Sequence, residues 1–139
     1  MKLSENFTLK ELTTTNTGLS NVPNADQVEN LKQLVENVLQ PLRDAYGMPI
    51  QVTSGFRSLS VNAKIGGAAT SQHTKGQAVD IVCRDNAKAF HIIRDMLPFD
   101  QLIWEKGNDM EPDWVHVSFK ESGNRWQVLR FDGRKYSNF

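Results

Sequence analysis

Gln72-His73-Thr74-Lys75-Gly76-Gln77-Ala78-Val79-Asp80-Ile81-Val82-Cys83 runs from a loop of small and polar residues into a strand. From Gln77 to Cys83 the residues alternate in the manner of a strand, so Ala78, Asp80 and Val82 share one face while Val79, Ile81 and Cys83 share the other. Asp80 is thus a carboxylate set among apolar neighbours, costly to bury unless it is paired or bound to a metal. His73 lies in the preceding loop and can fold back over the sheet, with Gly76 allowing the turn. A second segment, Asp113-Trp114-Val115-His116, opens another strand, on which Trp114, His116 and Ser118 face away from Val115, Val117 and Phe119. If these two strands lie near each other, His73, Asp80 and His116 converge on one cleft. Two imidazoles and one carboxylate leave the fourth position of a tetrahedral zinc open, as in hydrolytic sites.

Working outward, Thr8-Leu9-Lys10-Glu11 reads as a capping box at the start of a short helix, and Asn24 with Gln27 reads as another. After Asn24, the residues Val28, Leu31, Leu34, Val35, Val38, Leu39, Leu42 and Tyr46 recur at helical spacing. Pro41 should kink or split that helix, and Gly47 should end it. Strands are expected at Pro49–Thr53, Gln77–Cys83, Asp100–Glu105, Trp114–Phe119 and Arg125–Phe131, with a helical turn or two over Ser58–Ile65 and a helix from an Asn86 cap to about Leu97. Helices come early and strands cluster late. That order implies an α+β fold, with a mainly antiparallel sheet flanked by helices.

The chain has 139 residues and no internal repeat, low-complexity tract or linker, which suits one domain, 1–139, with a short N-terminal helical extension over about 1–23. Lys plus Arg and Asp plus Glu both number 16, so the formal net charge is zero and a nucleic-acid footprint is not expected. Cys83 is the single cysteine, so no internal disulfide forms, and it reads as a strand thiol rather than a nucleophile. No apolar run is long enough to span a membrane. The first residues lack the apolar core of a signal peptide. The protein is therefore expected to be made in the cytoplasm and, if its target lies outside, delivered by another route.

Rival residues have plainer readings. His91 sits within the predicted helix from Asn86 and reads as a packed or exposed histidine. Glu105 shares a strand face with Gln101 and Ile103 and could support a ligand histidine from behind. Glu111 reads as a solvated loop residue. Asp113, three residues before His116, is the preferred carboxylate for work on water beside the metal.

At these residues the chain resembles the zinc peptidases that include D-Ala-D-Ala carboxypeptidases, D-Ala-D-Ala dipeptidases and phage L-alanyl-D-glutamate endolysins. Their pattern Ser-x-His-x-x-Gly-x-Ala-x-Asp is met by Ser71, His73, Gly76, Ala78 and Asp80, and their Glu/Asp-x-x-His by Asp113 and His116. Ser54-Gly55-Phe56-Arg57-Ser58 matches a further family segment, and the likeness covers roughly residues 25 to 120. The short form, with Phe99-Asp100-Gln101-Leu102-Ile103 before the second motif, looks most like phage and prophage members.

The resemblance implies a hedgehog/DD-peptidase-like fold forming a single zinc peptidase domain. It implies zinc held by His73, Asp80 and His116, with Asp113 as general base and then proton donor to the leaving amine. Arg57 would steady the substrate carbonyl and its developing oxyanion, and Ser71 would contact substrate at the cleft wall. The implied activity is hydrolysis of peptide bonds in peptidoglycan stem peptides by a monomer. The bond itself, D-Ala-D-Ala, L-Ala-D-Glu or D-Ala-diaminopimelate, is not readable, and the loops expected to select it are Gly66–Gln72 and Lys106–Pro112. The alternative is a zinc-stabilised wall-binding or structural module without turnover.

Overall fold

The computed structural model describes residues 1–139. Helix α1 (Leu9–Thr13) starts at Thr8, whose hydroxyl accepts the Glu11 N–H while the Glu11 carboxylate accepts the Thr8 N–H. Asn24 and Gln27 close the same reciprocal pair at the head of α2 (Ala25–Leu34). Each box satisfies two backbone donors that a helix start leaves free.

The long amphipathic stretch continues past Leu34 through one wide turn, Val35–Leu39, into α3 (Gln40–Tyr46). Pro41 has no N–H to give and its ring crowds the carbonyl four residues back. The chain accommodates it by widening: the Gln40 N–H bonds the Val35 carbonyl five residues back, and Pro41 enters the first turn of α3. Gly47 ends α3 at φ 80°, a left-handed conformation that favours glycine.

The remaining elements are β1 (Gln51–Ser54), α4 (Leu59–Lys64), β2 (Ala78–Val82), α5 (Asn86–Met96), β3 (Gln101–Glu105), β4 (Trp114–Ser118), β5 (Gln127–Phe131) and β6 (Tyr136–Asn138). They form one six-stranded sheet in the order β1-β2-β4-β3-β5-β6. All neighbours are antiparallel except β3 and β5. The fold is α+β with a mostly antiparallel sheet.

Alternation along these strands separates two faces. Val79, Ile81, Leu102, Trp104, Val115 and Val117 belong to the core, together with Leu31, Leu34 and Val38 of the long helix and Phe90 and Ile93 of α5. The opposite face carries Asp80, Ile103, Glu105 and His116 and is left for the cleft.

Two local details differ from expectation. Asp85, not Asn86, caps α5 by accepting the Lys88 N–H. Asn86 is buried instead, bonding the Cys83 N–H and the carbonyls of Pro112 and Asp113. Strand β6 was not anticipated. The first residues do more than extend the chain: Leu3, Phe7 and Leu12 are core residues. No helix is long and apolar enough to cross a membrane.

Candidate metal centre and cleft

Strand register does most of the positioning. Asp80 of β2 pairs with His116 of β4, which pairs with Ile103 of β3, while Ser54 of β1 pairs with Asp80 from the other side. Paired residues point to the same face of a sheet, so this one row sets Asp80 and His116 side by side above it. His116 Nδ1 lies 3.1 Å from Asp80 Oδ1.

His73 arrives from the loop. A short helical turn, Gln72–Lys75, is capped by Ser71, whose hydroxyl accepts the His73 N–H, and it ends at Gly76 with φ 74°. That glycine also passes against the Gln27 carbonyl so closely that a Cβ would sit 2.6 Å from it. The turn drops the His73 ring into the cleft, with Nε2 3.5 Å from Asp80 Oδ2. Single nitrogen or oxygen atoms of His73, Asp80 and His116 all lie within 4.8 Å of one another.

The donor set fits a cation. His73 Nδ1 is 2.8 Å from the Gly55 carbonyl, and a carbonyl can only accept, so Nδ1 carries the proton. Burial lowers the His73 pKa more than the nearby Asp80 raises it, which favours the neutral ring. Nε2 then presents a lone pair to a carboxylate oxygen, an arrangement of two acceptors that a metal ion resolves. Burial alone would raise the Asp80 pKa, but the hydrogen bond and charge of His116 work against it and keep the carboxyl below its usual range. The contacts run from His116 to one Asp80 oxygen at 3.1 Å and from His73 to the other at 3.5 Å, and one donor atom from each residue lies within 4.8 Å of the others, close enough for one ion to gather all three.

Arg57 forms the adjoining wall. Its Nε donates to Ser54 Oγ, Nη1 to Asn62 Oδ1 and Nη2 to Asp80 Oδ2, at 3.0, 3.4 and 3.4 Å. The backbone carrying it is stitched to the His73 turn, because the Arg57 N–H donates to the His73 carbonyl. Asn21 braces it from outside, donating to the Thr13 and Phe56 carbonyls and accepting the Ser58 N–H. Gly55 passes so close to the Leu12 carbonyl that no side chain fits there.

Ser71, His73, Asp80, His116 and Arg57 therefore line one cleft. Asp113 does not join them. It is exposed, its N–H bonds the Glu105 carbonyl, and its own carbonyl accepts from Asn86. It lies one residue before β4, in a bend outside the strand, so strand alternation does not fix where its carboxylate points.

Glu105 does line the cleft. Burial, helped by the charge of Asp80, raises its carboxyl to about 7 against the opposing charges of His116 and Lys106. His91 lies in α5 with its ring near Phe90, Trp104 and Phe139, and it is absent from the cleft.

The far wall is built on Asp100, from the Phe99–Ile103 segment. Asp100 is fully buried and accepts from the backbone and guanidinium of Arg125 and from Gln72 Nε2, and both partners reach the cleft. Of the two loops expected to shape the pocket, Gly66–Gln72 contributes Ala68, Thr70, Ser71 and Gln72, whereas Lys106–Pro112 contributes no lining residue.

Comparison with known proteins agrees with this geometry. A family model described as Peptidase M15 matches residues 5–118. The chain is also similar to the zinc D-Ala-D-Ala carboxypeptidase of Streptomyces albus G, 38% identical over 78 residues. That match covers 55% of this chain and 31% of the relative, so the chain aligns with about a third of that protein's length.

Proposed function

The chain belongs to the peptidase M15 family, and on that footing we propose that it is a zinc-dependent peptidase hydrolysing peptide bonds in peptidoglycan stem peptides. The observation that carries this reading is the convergence of two imidazoles and one carboxylate in a single cleft, with a guanidinium beside them. His73, Asp80 and His116 are the residues that would hold the zinc. When bound, zinc polarises a scissile carbonyl and makes water a better nucleophile near neutral pH.

The chain's own residues supply the rest. The Gly55 carbonyl fixes the His73 tautomer and so keeps Nε2 free as a ligand. Arg57 is held by Ser54 and Asn62, so its charge is set in place before substrate arrives. A preorganised cation of this kind stabilises negative charge as it grows on a carbonyl oxygen. Ser71 spends one lone pair on the His73 N–H but retains its own proton to donate to a substrate in the cleft. Gln72, tied to Asp100, holds the facing wall.

We further read the protein as a murein hydrolase of the phage or prophage endolysin type, on the short span before the second motif. The test is to digest purified peptidoglycan with the zinc-loaded protein and identify new termini by mass spectrometry. New amino termini within the stem peptide support an endopeptidase, and released D-Ala supports a carboxypeptidase. Intact peptidoglycan with the protein bound to it supports the wall-binding module instead.

A further inference from the structure

Resting on the peptidase reading, we infer that the far wall of the cleft is a carboxylate-binding subsite, in which Arg125 holds a free carboxylate of the substrate close to the bond that is cut. Asp100 is fully buried and fixes this arginine from beneath. Its carboxylate accepts the Arg125 backbone N–H at 2.8 Å, Nε at 3.1 Å and Nη2 at 2.8 Å, and Gln72 Nε2 at 3.0 Å. That pairing occupies one edge of the guanidinium. The other edge, Nη1 with the second Nη2 hydrogen, has no partner in the protein, and the side chain is 51% exposed where it lines the cleft. A planar fork of this kind takes a carboxylate through two parallel hydrogen bonds. Lys120 Nζ stands 3.8 Å from the same Asp100 carboxylate. Two cations against one carboxylate leave the wall with an excess of positive charge, so Arg125 is not cancelled by its partner.

The backbone is bent to deliver this arginine. Trp126, directly after it, takes φ 55°, a left-handed conformation uncommon for a bulky side chain. Asp100 holds the bend from both sides: its carboxylate accepts the Arg125 N–H, and its backbone carbonyl accepts the Gln127 N–H at 2.9 Å. The Trp126 ring packs edge-on against Phe99, 5.3 Å between centroids. Strain persists only where the surroundings over-determine it, and it gathers at ligand clamps. Register sets the distance to the metal ligands. Asp100 precedes Gln101, which lies two residues along β3 from Ile103, the partner of His116. That is about 7 Å of extended strand, so a substrate with its scissile carbonyl beside His116 presents a residue one or two along to Arg125. The strand order sets Arg57, after β1, and Arg125, before β5, on opposite sides of the ligand row. The two guanidiniums therefore serve different parts of one substrate.

The chemistry that discriminates is charge. A carboxylate offers two acceptor oxygens to the fork and offsets the excess charge of the wall. A carboxamide offers one oxygen, and its NH2 group meets donors that it cannot pair with. The subsite thus accepts a stem peptide with a free acid at this position and rejects its amide. That carboxylate does not change during hydrolysis, so it is held alike in the ground state and the transition state, and its loss acts on KM and not on kcat.

The experiment uses zinc-loaded full chains and a synthetic stem peptide, L-Ala-D-Glu-diaminopimelate-D-Ala-D-Ala, in four forms: all carboxyls free, or with the D-Glu, the diaminopimelate or the terminal D-Ala carboxyl amidated. Kd, KM and kcat are measured for wild type, Arg125→Ala and Arg125→Lys. The expected result is that one of the three amidations weakens wild-type binding by roughly 10- to 100-fold, the scale of a hydrogen-bonded charge pair, and raises KM alike with little change in kcat. Which amidation does so identifies the carboxylate. Arg125→Ala should lose as much on the free peptide and should no longer tell it from that amide. Arg125→Lys keeps a cation beside Asp100 and so keeps the fold, and it should retain only part of the preference. A merely structural arginine would leave wild type indifferent to every amidation, and that result overturns the subsite without any variant. A preference for the free acid that survives in Arg125→Ala overturns it too, because the carboxylate is then held elsewhere. Wild type that binds none of the four peptides also overturns it. Wild type that binds with the expected preference but cuts nothing refutes the peptidase reading and leaves the subsite standing.

Discussion

Replacing Glu105 with glutamine should stabilise the metal-free protein, and by an amount that grows with pH. Burial is the main reason its carboxyl titrates at about 7 in the folded chain instead of near 4.5. At about 1.4 kcal/mol per pH unit, that difference amounts to roughly 3 kcal/mol once the group is ionised in both states. The open side of the cleft admits water, so roughly 1–3 kcal/mol is the expected range. The sign follows from proton counting. Below pH 4.5 folded and unfolded chains both hold the proton and no penalty exists. Between 4.5 and 7 the unfolded chain releases a proton that the folded chain retains, so wild-type stability falls as pH rises. Above 7 the penalty is complete. Glutamine is nearly isosteric and never ionises, and Glu105 makes no hydrogen bond that the change would break. The assay is urea unfolding of chelator-treated wild type and variant at pH 5, 6, 7 and 8, with ΔG from linear extrapolation. Chelation matters because a nearby divalent ion would itself favour the carboxylate. The two curves should diverge towards pH 8 with the variant above. Parallel curves, or a variant less stable at high pH, would refute the claim that Glu105 is a desolvated, unpartnered carboxylate.

Three further outcomes are expected. His116→Ala should lose most of the bound zinc by elemental analysis, while His91→Ala, altered far from the cleft, should lose none; a comparable loss from His91→Ala would mean that the wrong histidine has been chosen. Arg57→Ala should lower kcat by roughly 10²-fold with a smaller effect on KM, and Arg57→Lys should recover only part because a point charge replaces a planar fork; a pure KM effect would instead make Arg57 a clamp for a substrate carboxylate. Asn21→Ala should destabilise the fold by about 1–3 kcal/mol in denaturant unfolding, since it strips partners from three backbone groups around the Arg57 segment, and an unchanged midpoint would show that water replaces them.

Features set by neighbours in sequence were legible before the fold was known. The Thr8–Glu11 and Asn24–Gln27 boxes are contacts three residues apart, so their donors and acceptors can be read from the chain directly. The faces of β2 and β4 follow from alternation, which is why Asp80 and His116 could be set on polar faces without knowing the register. Features set by distant partners were not legible. Strand β6 is three exposed residues without an apolar pattern, and only its pairing with β5 defines it. The buried Asp100 depends on Arg125 and Gln72, which lie 25 and 28 residues away. The cap of α5 falls on Asp85 because Asn86 is drawn inward by Cys83, Pro112 and Asp113, three partners that local spacing does not reveal. That Glu105 lines the cleft depends on the β3–β4 register, which pairs it with Trp114.

The central claim is that His73, Asp80 and His116 hold a zinc ion that makes this cleft a peptidase. It is tested most directly by titrating zinc into the chelator-treated protein and measuring the new termini released from purified peptidoglycan at each step. The account predicts no release without metal, and release that rises with added zinc and saturates near one ion per chain. Release that is indifferent to zinc, or none at full zinc occupancy, would contradict it.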